Sequence, residues 1–109
     1  MPQFVVMLRD SGSFPSDISA EEIQSIIQKY GEWIRSMGGT GQKLRDGEGR
    51  IVVRDQDRVT VTDGPYAESK EVLGGYFLVE ADSYDDVVSR CQDSPHLEYG
   101  SIEIRQVEM

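Results

Sequence analysis

The sequence predicts an α+β domain of the ferredoxin-like, split βαβ class that carries an added β-hairpin. Strand-like and helix-like patterns follow one another in the order strand, helix, strands, helix, strand. The 109 residues leave room for one domain, residues 1–109, and no repeat or low-complexity linker divides them. Two helices can cover only one face of a sheet, so the other face is expected to meet solvent or a second subunit.

The first strand and the first helix have the clearest patterns. Residues 4–8 are apolar on both faces, which is typical of a central strand. Ser19 and Glu22 have the spacing of a capping box, and Gly38-Gly39 ends the helix that follows. The apolar residues expected on one face of this helix are Ile23, Ile26, Ile27, Tyr30, Ile34 and Met37.

The second half of the chain continues the alternation. Residues 40–44 form a short extended piece, and residues 51–54 and 59–62 form a hairpin through 55–58. A strand over residues 74–81 precedes a second helix, which begins at Asp82 or Ser83. In the last strand, 101–107, Ile102 and Ile104 face one way while Glu103 and Arg105 face the other.

Composition excludes several classes of function. The formal net charge of −9 repels phosphate backbones, so we expect no nucleic-acid partner. No apolar run is long enough to span a bilayer, and the first residues do not read as a signal peptide, so we expect a cytoplasmic protein without membrane contact. Cys91 and His96 lack the further ligands of a zinc site, so we expect no metal and no cofactor.

The charged residues of the last strand are candidates for a site. Arg105 could hold a carboxylate or enolate through paired hydrogen bonds, with Glu103 beside it, if their face lines a cleft between subunits. An ordinary solvated face is the alternative. His96, the single histidine, follows the second helix. We expect it to lie at the surface and to be dispensable.

The block over residues 63–79 joins a β-branched strand to a strand that opens with two glycines. Asp63 begins its turn, as a structural Asx turn or as a catalytic carboxylate, and both interpretations stay open. The residues of this block expected to contact a ligand are Asp63, Tyr66, Glu68, Lys70 and Tyr76.

This block resembles the signature of the YCII-related family in its DGPF subgroup, named after Asp-Gly-Pro-Phe, with Tyr66 in place of the Phe. The resemblance extends over nearly the whole chain and implies a dimeric α/β barrel with a pocket between helices, sheet and partner. The wider superfamily includes a dehydrochlorinase that acts on a chlorinated aromatic compound. In such enzymes a His and an Asp near the first helix resemble a catalytic pair. The first helix here, 19–37, contains no histidine, so that chemistry does not carry over. The subgroup also implies a link to sigma-factor regulation.

Three functions remain open at this point. The first is a small cytoplasmic homodimer that binds an anionic or aromatic metabolite in a cleft and acts as a sensor or accessory module. The second is a lyase or isomerase with Asp63 or Glu103 as base and Arg105 as oxyanion partner. The third is a protein-interaction module.

Overall fold

The computed structural model describes residues 1–10, 17–45, 48–64 and 72–108. Four antiparallel strands form the main sheet in the order β2-β5-β1-β6, and β3 and β4 form a separate two-stranded sheet. This confirms the ferredoxin-like α+β prediction. The element bounds are β1 Gln3–Asp10, α1 Ala20–Met37, β2 Thr40–Lys43, β3 Arg50–Asp55, β4 Arg58–Asp63, β5 Val72–Glu80, α2 Tyr84–Cys91 and β6 Gly100–Gln106.

The core lies between the helices and one face of the sheet. β1 pairs with β5 on one side and β6 on the other, so it is central as predicted. Its even-numbered residues Phe4, Val6 and Leu8 are buried, and they meet buried residues of β5 and both helices. Burial of these side chains supplies most of the hydrophobic stabilisation of the domain. The remaining core residues are Trp33, Met37, Phe77, Val79, Ala81, Val87 and Cys91.

Helix α1 begins and ends as the sequence predicts. The Ser19 side chain accepts a hydrogen bond from the Glu22 backbone N–H at 3.1 Å. Gly38 closes the helix in the left-handed region at φ 71°, which favours glycine. Only the C-terminal half of the apolar stripe is well packed, because Ile23 and Ile27 remain exposed. The first turns of α1 therefore stand open beside the sheet.

Helix α2 is capped by Ser83 rather than Asp82, since the Ser83 hydroxyl accepts from the Asp86 N–H at 3.2 Å. A 3₁₀ turn, Pro95–Glu98, follows it and leads into β6. The Ser94 hydroxyl caps this turn by accepting from the His96 N–H at 3.2 Å. The turn carries His96 beneath the sheet, where it meets the end of β1.

The strands β3 and β4 form an arm whose residues are almost all exposed. Val52 lies opposite Val61 in the register, and Arg54 lies opposite Val59. The radius of gyration of the chain is 16.0 Å, whereas a compact chain of this length would have about 13 Å. The arm therefore extends away from the body of the domain.

The outer face of the main sheet, on the side without helices, is partly apolar. Val5 and Met7 of β1 are half-buried there, and Tyr76 and Leu78 of β5 are exposed. Glu103 and Arg105 of β6 lie opposite Met7 and Val5 in the register, so they share this face. The predicted alternation of the last strand is therefore confirmed.

Candidate functional site

A pocket of about 550 Å³ lies between α1 and the helix-facing side of the sheet. Its size is within the range of small-molecule sites. Its walls are mostly apolar, formed by Leu8, Ile26, Ile27, Ile34 and Phe77. Polar side chains collect in the same space, namely Asp10, Tyr30, Gln42, Lys43, His96 and Tyr99, while Gly41, Gly74 and Tyr76 complete the lining.

Tyr30 and His96 form the polar centre of the pocket. The Tyr30 hydroxyl lies 2.9 Å from Nδ1 of His96, and the two rings meet edge to face with centroids 6.0 Å apart. Nε2 of His96 lies 2.8 Å from the backbone carbonyl oxygen of Arg9. The imidazole is therefore held from both sides, by α1 and by the end of β1.

These two contacts fix the tautomer of a neutral His96. A carbonyl oxygen can only accept, so Nε2 must carry the proton and donate it to the Arg9 carbonyl. Nδ1 is then an acceptor, and the Tyr30 hydroxyl must donate to it. The remaining lone pairs of the Tyr30 oxygen are available to accept a hydrogen bond from a ligand. The arrangement can pass a proton from a bound hydroxyl through Tyr30 to His96.

Asp10 provides a negative charge next to this pair. Its Oδ1 lies 4.0 Å from Nε2 of His96. Two glycines leave room for the arrangement: a Cβ on Gly74 would overlap the Asp10 carboxylate, and one on Gly100 would overlap the Arg9 carbonyl and approach Nε2 of His96. The end of β1 is therefore confined between β5 and β6, which holds the carboxylate close to the imidazole.

Burial raises the pKa of the Tyr30 hydroxyl from 10.0 to about 12, and the charge of Asp10 adds to the effect. Tyr99 and Glu98 contribute in the same direction. Desolvation and nearby negative charge both disfavour a tyrosinate. Tyr30 consequently stays protonated across the physiological pH range.

The prediction that His96 lies at the surface was wrong. The residue is only 1% exposed, and both ring nitrogens have partners. Its partners Tyr30 and Arg9 are far away in the sequence, so no local pattern shows the contact. The one available signal was position: Ser94 and Pro95 start a short turn directly before the last strand, which places the next side chain against the sheet edge.

Comparison with known proteins supports the resemblance found in the sequence. The family model of the YCII-related domain matches residues 4–109. The chain belongs to the YCII-related domain family. No curated protein sequence matches this YCII-related chain significantly.

A solved structure shares the fold of this YCII-related domain. It is the 5-chloro-2-hydroxyhydroquinone dehydrochlorinase TftG of Burkholderia phenoliruptrix AC1100, in complex with 2,5-dihydroxybenzoquinone. The two chains are 12% identical, with a TM-score of 0.51 over 97% of this chain and 93% of that chain. At this identity the likeness shows the common fold.

The predicted site residues of the YCII-related domain lie in separate places. Tyr76 is part of the pocket lining, although its place in β5 puts its side chain on the outer face of the sheet with Leu78. Asp63 is at the end of the arm and pairs with Arg50 at 3.4 Å in an exposed position. Glu103 accepts from Arg9 at 3.0 Å on the outer face of the sheet, and Arg105 is exposed on that face. The predicted ligand contacts Tyr66, Glu68 and Lys70 lie outside the described residues.

Two further properties concern the described part of the chain. It contains no group of three or more His, Cys, Asp or Glu side chains arranged to hold a metal ion. None of its helices is long and apolar enough to cross a membrane. Cys91 belongs to the buried core, and this burial raises the pKa of its thiol.

Proposed function

We propose that this YCII-related domain binds a small aromatic metabolite with an acidic hydroxyl group in the pocket between α1 and the sheet. The observation that carries the proposal is the apolar pocket of about 550 Å³ with the Tyr30–His96 pair inside it. Apolar walls favour a flat ring, and a few polar groups in one region fix its orientation. A solved structure with this fold holds 2,5-dihydroxybenzoquinone, which is likewise a flat six-membered ring with hydroxyl groups.

The pair suits proton transfer as well as binding. A ligand hydroxyl donates its proton to the Tyr30 oxygen while the Tyr30 proton passes to Nδ1 of His96. The ligand becomes an anion, Tyr30 stays neutral, and His96 becomes an imidazolium with both nitrogens protonated. The Arg9 carbonyl and the Asp10 carboxylate stabilise that cation. The raised pKa of Tyr30 agrees with its neutral state before and after the transfer.

An isomerase or lyase that begins with this proton abstraction is the second candidate function. The observation that favours it is the hydrogen-bonded order Tyr30, His96, Arg9 carbonyl, which gives a base with a fixed tautomer inside a pocket. In this candidate His96 is the base. The earlier bases, Asp63 and Glu103, are paired with arginines outside the pocket.

We also propose that the protein is a cytoplasmic homodimer of the DGPF subgroup with a role linked to sigma-factor regulation. Support for the dimer comes from the outer face of the sheet, where Tyr76 and Leu78 are exposed beside Val5 and Met7. A second sheet packed on this face would bury them.

Titration calorimetry with 2,5-dihydroxybenzoquinone as the probe tests the pocket. We expect saturable binding to the wild-type chain and at least tenfold weaker binding to Tyr30→Phe. Tyr84→Phe is the matched control, because it loses the same hydroxyl at the Gln106 N–H, beside Phe4 and away from the pocket. Equal affinity of both variants and the wild type would contradict the proposal.

A further inference from the structure

The arm formed by β3 and β4 exposes an apolar strip on one of its faces. Directly opposed residues of an antiparallel pair share a face, so Val52, Val61 and Val59 lie on the same face as Arg54. Each of the three valines is more than half exposed. Arg54 makes no ion pair with any residue in the described ranges. An isolated two-stranded hairpin of this kind is marginally stable in water unless it packs on something.

The opening turns of α1 present a complementary surface. A shallow depression of about 520 Å³ lies along them, and among the described residues its lining comes from α1, including Glu21, Gln24 and Ile27. Ile27 and Glu21 line this depression. Ile23 is also exposed on the first turns of α1, which carry Glu22 as well. This surface is apolar and acidic, whereas the arm is apolar and basic at Arg54.

We propose that the β3–β4 arm of one copy docks on the first turns of α1 in a second copy. The valines of the arm would cover Ile23 and Ile27, and Arg54 would pair with Glu21 or Glu22. The arm extends from the body, and within the described residues its strands make extensive backbone contact only with each other. A second copy is the favoured occupant because the chain carries both complementary surfaces, and the Arg54 contact offsets part of the repulsion between two chains of charge −9.

The docked arm would also reach the ligand pocket. Ile27 lines both the depression and the pocket, so a partner strand lying over Ile27 would border the open side of the pocket. This part of the inference rests on the proposed function, whereas the docking itself does not.

Cross-linking between two cysteine variants tests the docking. In a Cys91→Ala background, a Val61→Cys chain is mixed with a heavier, tagged Ile27→Cys chain, and mixed disulfide dimers are counted by mass spectrometry. We expect them to form at least ten times faster than in a mixture that uses Thr60→Cys, which lies on the opposite face of the arm. Equal rates for Val61→Cys and Thr60→Cys would overturn the proposal. So would a disulfide that closes within one chain in the dilute Val61→Cys/Ile27→Cys double variant.

A charge exchange provides a second measurement. Arg54→Glu should slow the mixed disulfide by at least fivefold, and Glu21→Arg with Glu22→Arg in the other chain should restore the rate. An unchanged rate in Arg54→Glu would contradict the charge pairing. Tyr30→Phe should leave cross-linking unchanged, so that failure of the pocket and failure of the docking give different results.

Discussion

The Tyr30 hydroxyl lies 2.9 Å from Nδ1 of His96 and binds the single histidine of the chain to helix α1. The opposite ring nitrogen binds the carbonyl oxygen of Arg9 on β1. One buried ring thus joins the helix layer to the sheet at the polar end of the pocket. Loss of this ring should therefore affect both the fold and the site.

Replacement of His96 by alanine should lower the free energy of unfolding by about 2–4 kcal/mol. The variant leaves a cavity and deprives both the Tyr30 hydroxyl and the Arg9 carbonyl of a partner, and each orphaned polar group costs about 1–3 kcal/mol. Urea denaturation measures the change. Leu97→Ala, one residue along the same turn but exposed, is the control and should stay within about 0.5 kcal/mol. Equal losses in the two variants would show that His96 is not anchored as described.

Stability should fall at alkaline pH because of Tyr30. The pKa of its hydroxyl is about 12 in the folded chain and 10.0 in the absence of perturbation. The folded state therefore retains a proton that the unfolded state releases, so this contribution is fully present below pH 10 and is lost as the pH rises towards 12. Urea denaturation between pH 9 and pH 12 should show a smaller decline in Tyr30→Phe than in the wild type. An identical decline would contradict the raised pKa.

Gly74 should tolerate a side chain poorly because Asp10 occupies the space. A Cβ there would overlap the Asp10 carboxylate and push it away from His96. We expect Gly74→Ala to lose about 1 kcal/mol or more in urea denaturation and to bind 2,5-dihydroxybenzoquinone more weakly. Gly31→Ala, where an added Cβ would meet only the end of the Arg35 side chain at ordinary contact distance, should instead gain about 0.5–1 kcal/mol from helix propensity. If Gly74→Ala had the unfolding free energy and the quinone affinity of the wild type, the position of Asp10 beside His96 would not matter for the site.

The ion pair on the outer face of the sheet should contribute little to stability. Arg9 and Glu103 are 3.0 Å apart, but their side chains are 34% and 43% exposed. We therefore expect Glu103→Gln to change the free energy of unfolding by no more than about 1 kcal/mol. Arg105→Met, on the same face, should change it by about 0.5 kcal/mol or less. A larger loss of unfolding free energy in either variant, measured on monomeric protein, would show that these charged side chains stabilise the fold.

Local patterns were sufficient to predict the α-helices and strands of the fold. Ser19 with Glu22 specified the start of α1, and the alternation around Ile102 and Ile104 specified the last strand. The two hairpin strands were predicted over residues 51–54 and 59–62. In the structure each is one residue longer at both ends, and the connection between Asp55 and Arg58 is correspondingly shorter. Each of these features depends on residues that are close together in the sequence, so the sequence pattern reports them directly.

The polar centre of the pocket could not be predicted in the same way. His96 meets partners 66 and 87 residues away, and its burial depends on how the 3₁₀ turn packs beneath β1. The apolar stripe of α1 also misled the prediction, because Ile23 and Ile27 fit the helical period yet remain exposed. Periodicity shows which face a residue occupies, whereas tertiary packing determines whether that face is covered.

The imidazole resonances of His96 provide the most direct test of the central claim. Since the chain has one histidine, long-range ¹H–¹⁵N spectra contain a single imidazole spin system. The spectra are recorded at a pH where the ring is neutral. We predict the tautomer with the proton on Nε2, a change of its shifts on saturation with 2,5-dihydroxybenzoquinone, and a changed Nδ1 shift in Tyr30→Phe. A proton on Nδ1, or shifts that do not respond to the probe, would contradict the account of the pocket.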